Sequence, residues 1–171
     1  MDVDPVALSS RWLHVLGAIV LLGGGLFSRL VLLPVIGGLE AEEQSRWHEL
    51  IRSKWAKWVG ITTLVMLVTG FYNYIAVAIA EHKGDGLYHG LMGVKMLLAL
   101  AVFLLSAALA GRAKALEGIR AKRKLWLTAT VLLGVAIVMI AGYLKMRGPT
   151  IATPAVDPVA ETATVEMAGS R

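Results

Sequence analysis

The chain has 171 residues, of which 57% are hydrophobic and only 17% are charged. A typical soluble domain is about half apolar and about one quarter charged, so this composition excludes an ordinary soluble enzyme and favours an integral membrane protein. The sequence contains no cysteine, which excludes disulfides, thiolate catalysis, iron–sulfur clusters and thiolate zinc sites. The formal net charge of +5 comes from residues that flank apolar segments, which is typical of membrane topology and argues against nucleic-acid binding.

Four apolar stretches have the length of membrane spans, since about 20 helical residues cross a hydrocarbon core about 30 Å thick. They cover residues 12–36, 58–80, 87–110 and 125–146. The sequence therefore predicts an all-α integral membrane protein, a four-transmembrane-helix bundle that occupies residues 1–147. Residues 148–171 contain three prolines among Ala, Thr and Val and no helical periodicity, which predicts a disordered tail.

The segment between the first two spans, residues 40–55, is charged but carries Trp47, Leu50, Ile51 and Trp55 at helical spacing. An apolar stripe on a charged helix favours the membrane surface. We predict a short interfacial helix here. The alternative interpretation is that these residues form the water-exposed start of the second spanning helix.

The orientation follows from Lys and Arg, which tend to stay in the cytoplasm. Ten of them lie in the two loops at residues 46–57 and 112–124, and the termini and the turn around Lys83 are poorer in cations. We predict that both termini face outward, and we expect the bacterial inner (cytoplasmic) membrane, with its lipids as neighbours.

His14 lies about one turn inside the first span. An ionisable side chain in a membrane span is costly and is a functional hypothesis by default. Gly17, Leu21, Gly24 and Ser28 share its helical face. Such a groove would admit a neighbouring helix or leave room for a flat cofactor such as haem. The alternative is a histidine that reaches the lipid headgroups.

A second group of candidate ligands opens the third span. His89 is followed by Met92 and Met96 on one helical stripe. Imidazole and thioether together suit Cu(I), so the sequence predicts His14, His89, Met92 and Met96 as metal ligands. The alternative for each methionine is that it fills the core.

Four further features are weaker indications. His82 lies in a Glu-His-Lys-Gly-Asp-Gly turn that we expect to be solvated, and His48 is predicted on the opposite side of the membrane. Arg29 is expected to reach lipid phosphates. The second span places Thr62, Met66, Thr69 and Asn73 on one face, which predicts that this face points into the bundle.

Lys95 lies about a turn and a half into the third span. A cation at this depth needs a carboxylate, a polar cluster, an anionic ligand or a route to the surface. A haem propionate or a substrate carboxylate would satisfy it, and so would Glu81 or Asp85 at a helix end. We therefore include Lys95 with His14 and His89 among the predicted cofactor-binding residues.

Three segments also carry a family likeness. WLHVLGAIVLLGGGLFSRLVLLP (12–34), WVGITTLVMLVTGFYNY (58–74) and LYHGLMGVKMLLAL (87–100) resemble helices of the CopD-like copper-resistance membrane domain, over roughly residues 10–147 in total. The resemblance implies a protein that binds copper or haem near its outer face and serves copper homeostasis or membrane redox work.

A more distant resemblance, again through His14 and a later basic residue, is to the HemJ-type protoporphyrinogen oxidases. It implies a haem b protein that acts on porphyrinogen, with His14 and His89 as axial ligands and Lys95 near a carboxylate. A third hypothesis is a cofactor-free accessory or assembly subunit, as a homo-oligomer or beside a partner membrane subunit. No nucleophile motif is present, so we predict no catalytic residue and favour a non-enzymatic role; an enzyme here would be a membrane haem-dependent oxidoreductase.

Overall fold

The computed structural model describes residues 4–148, and the predicted tail lies outside them except for Gly148. Helices make up 91% of this part of the chain, and it contains no strand. The fold class is thereby confirmed. In chain order the helices are α1 (Pro5–Gly37), α2 (Ala41–Glu81), α3 (Gly86–Ala110), the short α4 (Glu117–Ala121) and α5 (Arg123–Arg147). All but α4 are long and apolar enough to cross a membrane.

The helix ends follow from local chemistry. The Asp4 carboxylate accepts a hydrogen bond from the Val6 N–H at 2.9 Å, just before Pro5 at the first helical position. The Asp85 carboxylate caps α3 in the same way, accepting from the Tyr88 N–H at 3.0 Å. Gly148 follows α5 at a φ of 66°, a conformation that glycine adopts without strain.

The segment 40–55 is helical, but it is not a separate interfacial helix. It runs without a break into the second span. The alternative interpretation, in which these residues start a long second helix, is therefore correct. With 41 residues, α2 is about 60 Å long at about 1.5 Å per residue. The hydrocarbon core is about 30 Å thick, so the first turns of α2 extend beyond it, with Trp47 and Leu50 each 51% exposed.

Two of the long helices contain a π-helical turn. In α1 the turn covers Ser28–Leu32, and in α2 it covers Asn73–Ala78. Such turns insert one extra residue into an α-helix and occur frequently at functional sites.

The core consists of two apolar clusters inside a largely apolar exterior. One cluster contains Leu21, Val59, Phe103 and Ala110; the other contains Ala78, Tyr88 and Leu144. The outward faces carry many exposed large apolar side chains, which include Leu30, Leu97 and Leu132 at 63–69% exposure. Water does not tolerate such a continuous apolar exterior, whereas lipid does. Four apolar helices with this exterior indicate a membrane protein.

Neighbouring helices run antiparallel, so each end of the bundle collects different residues. The start of α1 contacts the end of α2 where Ser10 and His14 meet Thr69. We call this the histidine end; it contains His14, His82 and His89. The opposite end, where Arg123 meets His48 and Arg52 meets the Gly111 carbonyl, we call the arginine end; it contains Arg29, Arg52, Arg112 and Arg123.

Candidate functional site

His14 is held by a hydroxyl group of α2. Its Nδ1 lies 2.9 Å from Thr69 Oγ1, and that hydroxyl donates its hydrogen to the Val65 carbonyl at 2.7 Å. Because the hydroxyl hydrogen is already used, Thr69 can only accept, and Nδ1 of His14 must carry the proton. In the neutral ring Nε2 of His14 then keeps its lone pair, and Nε2 makes no hydrogen bond within residues 4–148. Histidines that bind metals typically donate their second ring N–H to a carboxylate, a backbone carbonyl or water, and here a threonine hydroxyl occupies that position.

The small residues around His14 let α1 and α2 approach closely. A Cβ atom on Gly70 would lie 3.1 Å from His14 Cε1, and one on Gly17 would lie 2.7 Å from Met66 Cγ. On Gly24 it would overlap the Trp55 ring. The sequence predicted that the Gly17–Gly24 face either contacts a neighbouring helix or leaves room for a flat cofactor. The structure shows the helix contact, because α2 side chains fill the groove.

The second-span face is also where the sequence predicted it. Thr62 and Thr69 are buried, and Met66 packs against the core cluster and beside α1. The Met66 carbonyl lies near the His14 ring as well. The sequence predicted that this face points into the bundle, and the structure adds that Thr69 and Met66 contact and orient His14. The helical spacing between Thr69 and Met66 is visible in the sequence, whereas their contact with His14 is not.

Lys95 has no carboxylate partner in the part of the chain that the structure describes. It is half-buried and close enough to His14 for an electrostatic interaction. Asp85, one expected partner, instead pairs with Arg147 at 3.1 Å. Glu81, the other, is exposed and forms no ion pair among residues 4–148. The positive charge beside His14 is therefore not neutralised by these carboxylates.

His89 uses both ring nitrogens within the bundle. Nε2 lies 3.1 Å from the His82 carbonyl, to which only an N–H can bond, and Nδ1 lies 3.3 Å from the Tyr74 hydroxyl, which donates to it. A metal ion at His89 would have to displace the Tyr74 hydroxyl from Nδ1. His14 and His89 thus differ: one has an unused lone pair and the other does not.

The expectation that His82 is solvated is wrong. The residue is 9% exposed, its ring stacks on Tyr88 with centroids 3.6 Å apart, and Nδ1–H donates to the Ala78 carbonyl at 3.2 Å. The polar turn around it does not predict this, because the stacking partner lies in the next helix. His82 joins Tyr74, Tyr88 and His89 in one cluster at the histidine end.

No described contact joins His14 to Met92 or Met96, the two predicted methionine ligands. Met92 packs in the apolar cluster with Tyr88 and Leu144, and Met96 is half-buried on α3. Within residues 4–148 no three His, Cys, Asp or Glu side chains form a group that could hold a metal ion. The four-residue ligand set of His14, His89, Met92 and Met96 stays a prediction.

At the arginine end, His48 Nδ1 accepts a hydrogen bond from Arg123 Nη1 at 3.0 Å. His48 is thus at the opposite end of the bundle from His14, as the sequence predicted. Arg29 does not simply extend to lipid: its Nε donates to Thr128 Oγ1 at 2.8 Å, because α5 places this hydroxyl directly beside α1.

Comparison of the chain with protein-family models, curated proteins and solved structures gave no match. The family resemblance therefore stays a prediction, and we infer a function from the geometry around His14.

Proposed function

We propose that this chain is an integral membrane protein that binds copper or haem through His14 near the outer face of a bacterial inner membrane, in copper homeostasis or membrane redox work. The observation that carries the proposal is the His14–Thr69 hydrogen bond at 2.9 Å. It fixes the tautomer and leaves Nε2 as an available donor to a metal or to haem iron.

The surroundings of His14 limit how each cofactor would bind. Met66 and Trp55 fill the Gly17–Gly24 groove, so a haem would not lie along it and would approach Nε2 from elsewhere. Lys95 would then be the cation for a propionate. Copper would need a second soft donor, and Met66 supplies the thioether that lies nearest to α1 in the contacts described.

The test is the cofactor content of the full chain after mild purification, from an absorption spectrum for the Soret band of haem and from elemental analysis for copper. We expect His14→Ala to lose most of the bound cofactor, since the variant lacks Nε2, the atom that we propose as the ligand. His48→Ala is the matched control and should keep full content. Full copper and haem content in His14→Ala, at unchanged expression, would contradict the proposal.

Lys95 separates the two cofactors. A lysine ammonium beside the site attracts the carboxylates of haem and repels a bare copper ion. Lys95→Met keeps the side-chain length without the charge. It should lower haem content if haem is the ligand, and it should leave copper content equal or higher if copper is the ligand.

The cofactor-free accessory subunit is a second candidate, favoured by one surface feature. An open groove of about 220 Å³ between α2 and α3 is lined almost wholly by small residues, which is the kind of surface on which membrane helices pack. Its lining is Ala56, Val59, Gly60, Thr63, Ala107, Ala110 and Gly111. A freshly purified chain with neither a Soret band nor bound copper would favour this candidate over cofactor binding.

A further inference from the structure

A second polar site lies inside the bundle at the arginine end. Four long helices enclose a cavity of about 40 Å³ there, with room for about three water molecules. Most of its lining is apolar, but Ser28, Ser106, Thr130 and Arg123 also line it, beside the Trp55 ring. These polar residues come from α1, α3 and α5, so the cavity is formed by the tertiary packing and not by one helix.

The hydroxyl groups of this cavity are incompletely used. The Thr130 hydroxyl donates to the Trp126 carbonyl at 2.8 Å. The side chains of Ser28 and Ser106 make no hydrogen bond to any residue between positions 4 and 148. Neither hydroxyl is among the described side-chain atoms that are fully buried without a hydrogen bond, so both are accessible. Both therefore remain available as donors to a polar guest.

Arg123 adds a positive charge without a counterion. Its Nη1 donates to His48 Nδ1, but it forms no ion pair in the described part of the chain. Glu49, one of the carboxylates at this end, is already paired with both Arg52 and Arg112. Arg123, which lines the cavity, therefore has further N–H donors and no ion-pair partner among residues 4–148.

The backbone near Ser28 is irregular. The π-helical turn of α1 begins at Ser28, which is one of the two unbonded serines, and it ends two residues before Pro34. Proline has no N–H and its ring crowds the preceding turn, so Pro34 accounts for the irregular backbone. The turn sets where Ser28 lies on the cavity wall.

We propose that this cavity binds a phosphate-type oxyanion, with Arg123 as its charge partner and the Ser28 and Ser106 hydroxyls as donors. A guanidinium plane donates two parallel hydrogen bonds to an oxyanion, which a halide cannot accept in the same way. The oxyanion is either free inorganic phosphate or the phosphate of a lipid headgroup. The inference does not depend on the proposed cofactor at His14, which lies at the other end.

The test uses the full chain and two probes. Inorganic phosphate is titrated into detergent-solubilised protein at constant ionic strength and followed by calorimetry. Separately, the protein is placed in nanodiscs of phosphatidylcholine with or without phosphatidic acid, and its thermal unfolding is measured. We expect saturable phosphate binding, or a higher unfolding temperature with phosphatidic acid. Response to phosphate alone assigns a free anion and response to the lipid alone assigns a headgroup; both support the proposal, and no response to either probe overturns it.

The variants distinguish the cavity from general surface charge. Arg123→Gln should weaken the response about ten-fold or more, since a hydrogen bond to a charged group is lost. Lys124→Gln, the exposed neighbour, is the matched control and should leave it unchanged. Equal weakening by the two variants would overturn the proposal. Ser106→Ala removes a hydroxyl that supports no contact in the described fold, so it should fold normally and weaken the response about three-fold or more; an unchanged response in that variant would also overturn it.

Discussion

At the histidine end, His14 and His89 form hydrogen bonds to uncharged partners, beside one ion pair between Asp85 and Arg147. At the arginine end, most of the polar contacts are made by charged side chains. At the histidine end, His14 bonds to Thr69, and His89 bonds to Tyr74 and to the His82 carbonyl. At the arginine end, Glu49 is held between Arg52 and Arg112 on the exterior. Neutral groups with satisfied hydrogen bonds are far less costly to bury beside lipid than charges.

This difference indicates which kind of ligand each end of the bundle can hold. A neutral imidazole with an unused lone pair suits a metal or haem iron, and a guanidinium without a counterion suits an oxyanion. Lys95 is a half-buried cation near His14 without a carboxylate partner in the described chain. A bound anionic group would neutralise it.

The largest expected effect concerns which end faces outward, and it is all-or-none. The ten cations of residues 46–57, in the first half of α2, and of residues 112–124 should hold the arginine end in the cytoplasm. A reporter enzyme that works only outside the cytoplasm should be active when it is fused after Arg171. One that works only in the cytoplasm should be inactive there. Activity restricted to the cytoplasm would reverse the topology and remove the outer placement of His14.

A smaller effect is expected from the close packing of α1 against α2 at Gly24. In Gly24→Ala the added methyl group would overlap the Trp55 ring, so we expect a loss of about 1–3 kcal/mol in unfolding free energy. In Gly23→Ala the added methyl group meets no atom within 4 Å, so this variant should be neutral or gain up to about 1 kcal/mol of helix propensity. Denaturation in detergent measures both. Equal stabilities would show that Trp55 does not fix the contact between α1 and α2.

The smallest change in stability is expected from two hydroxyls of the same helix, one bonded to His14 and one without a hydrogen bond among the described residues. Thr69→Val removes the acceptor of His14 and should cost about 1 kcal/mol; it should also weaken cofactor binding about 10–100-fold, as for other partners of metal-binding histidines. Thr63 Oγ1 is buried without a hydrogen bond within the described residues. Thr63→Val should therefore be neutral or stabilising. Cofactor titrations and unfolding curves of both variants check this, and an equal loss in the two would contradict the role given to Thr69.

The fold was predictable because each span is long and strongly apolar. The predicted span at 87–110 differs from Gly86–Ala110 by one residue at its start, and that at 125–146 differs from Arg123–Arg147 by two residues at its start and one at its end. The segment 40–55 was harder, since an apolar stripe on a charged helix fits either a membrane surface or a projecting helix. Composition cannot decide whether the backbone bends near Trp55; here it does not.

The sites were predictable only in part, since their partners lie far apart in sequence. His14 is conspicuous by itself, but its contact with Thr69 spans 55 positions. The cavity at the arginine end joins Ser28, Ser106 and Arg123, which have no common spacing. His82 illustrates the opposite error, because its polar neighbours suggest solvent while its ring stacks on Tyr88.

The π-turn at Ser28–Leu32 has a consequence for how the chain tolerates changes in length. Deleting one residue from an α-helix rotates everything beyond it by about 100°, which would turn the buried face of α1 toward lipid. Within Ser28–Leu32 the helix already holds one residue more than an α-helical path requires. A single deletion there can convert the turn to regular α-helix and keep the register on both sides, so this is where sequences of this type are expected to gain and lose a residue.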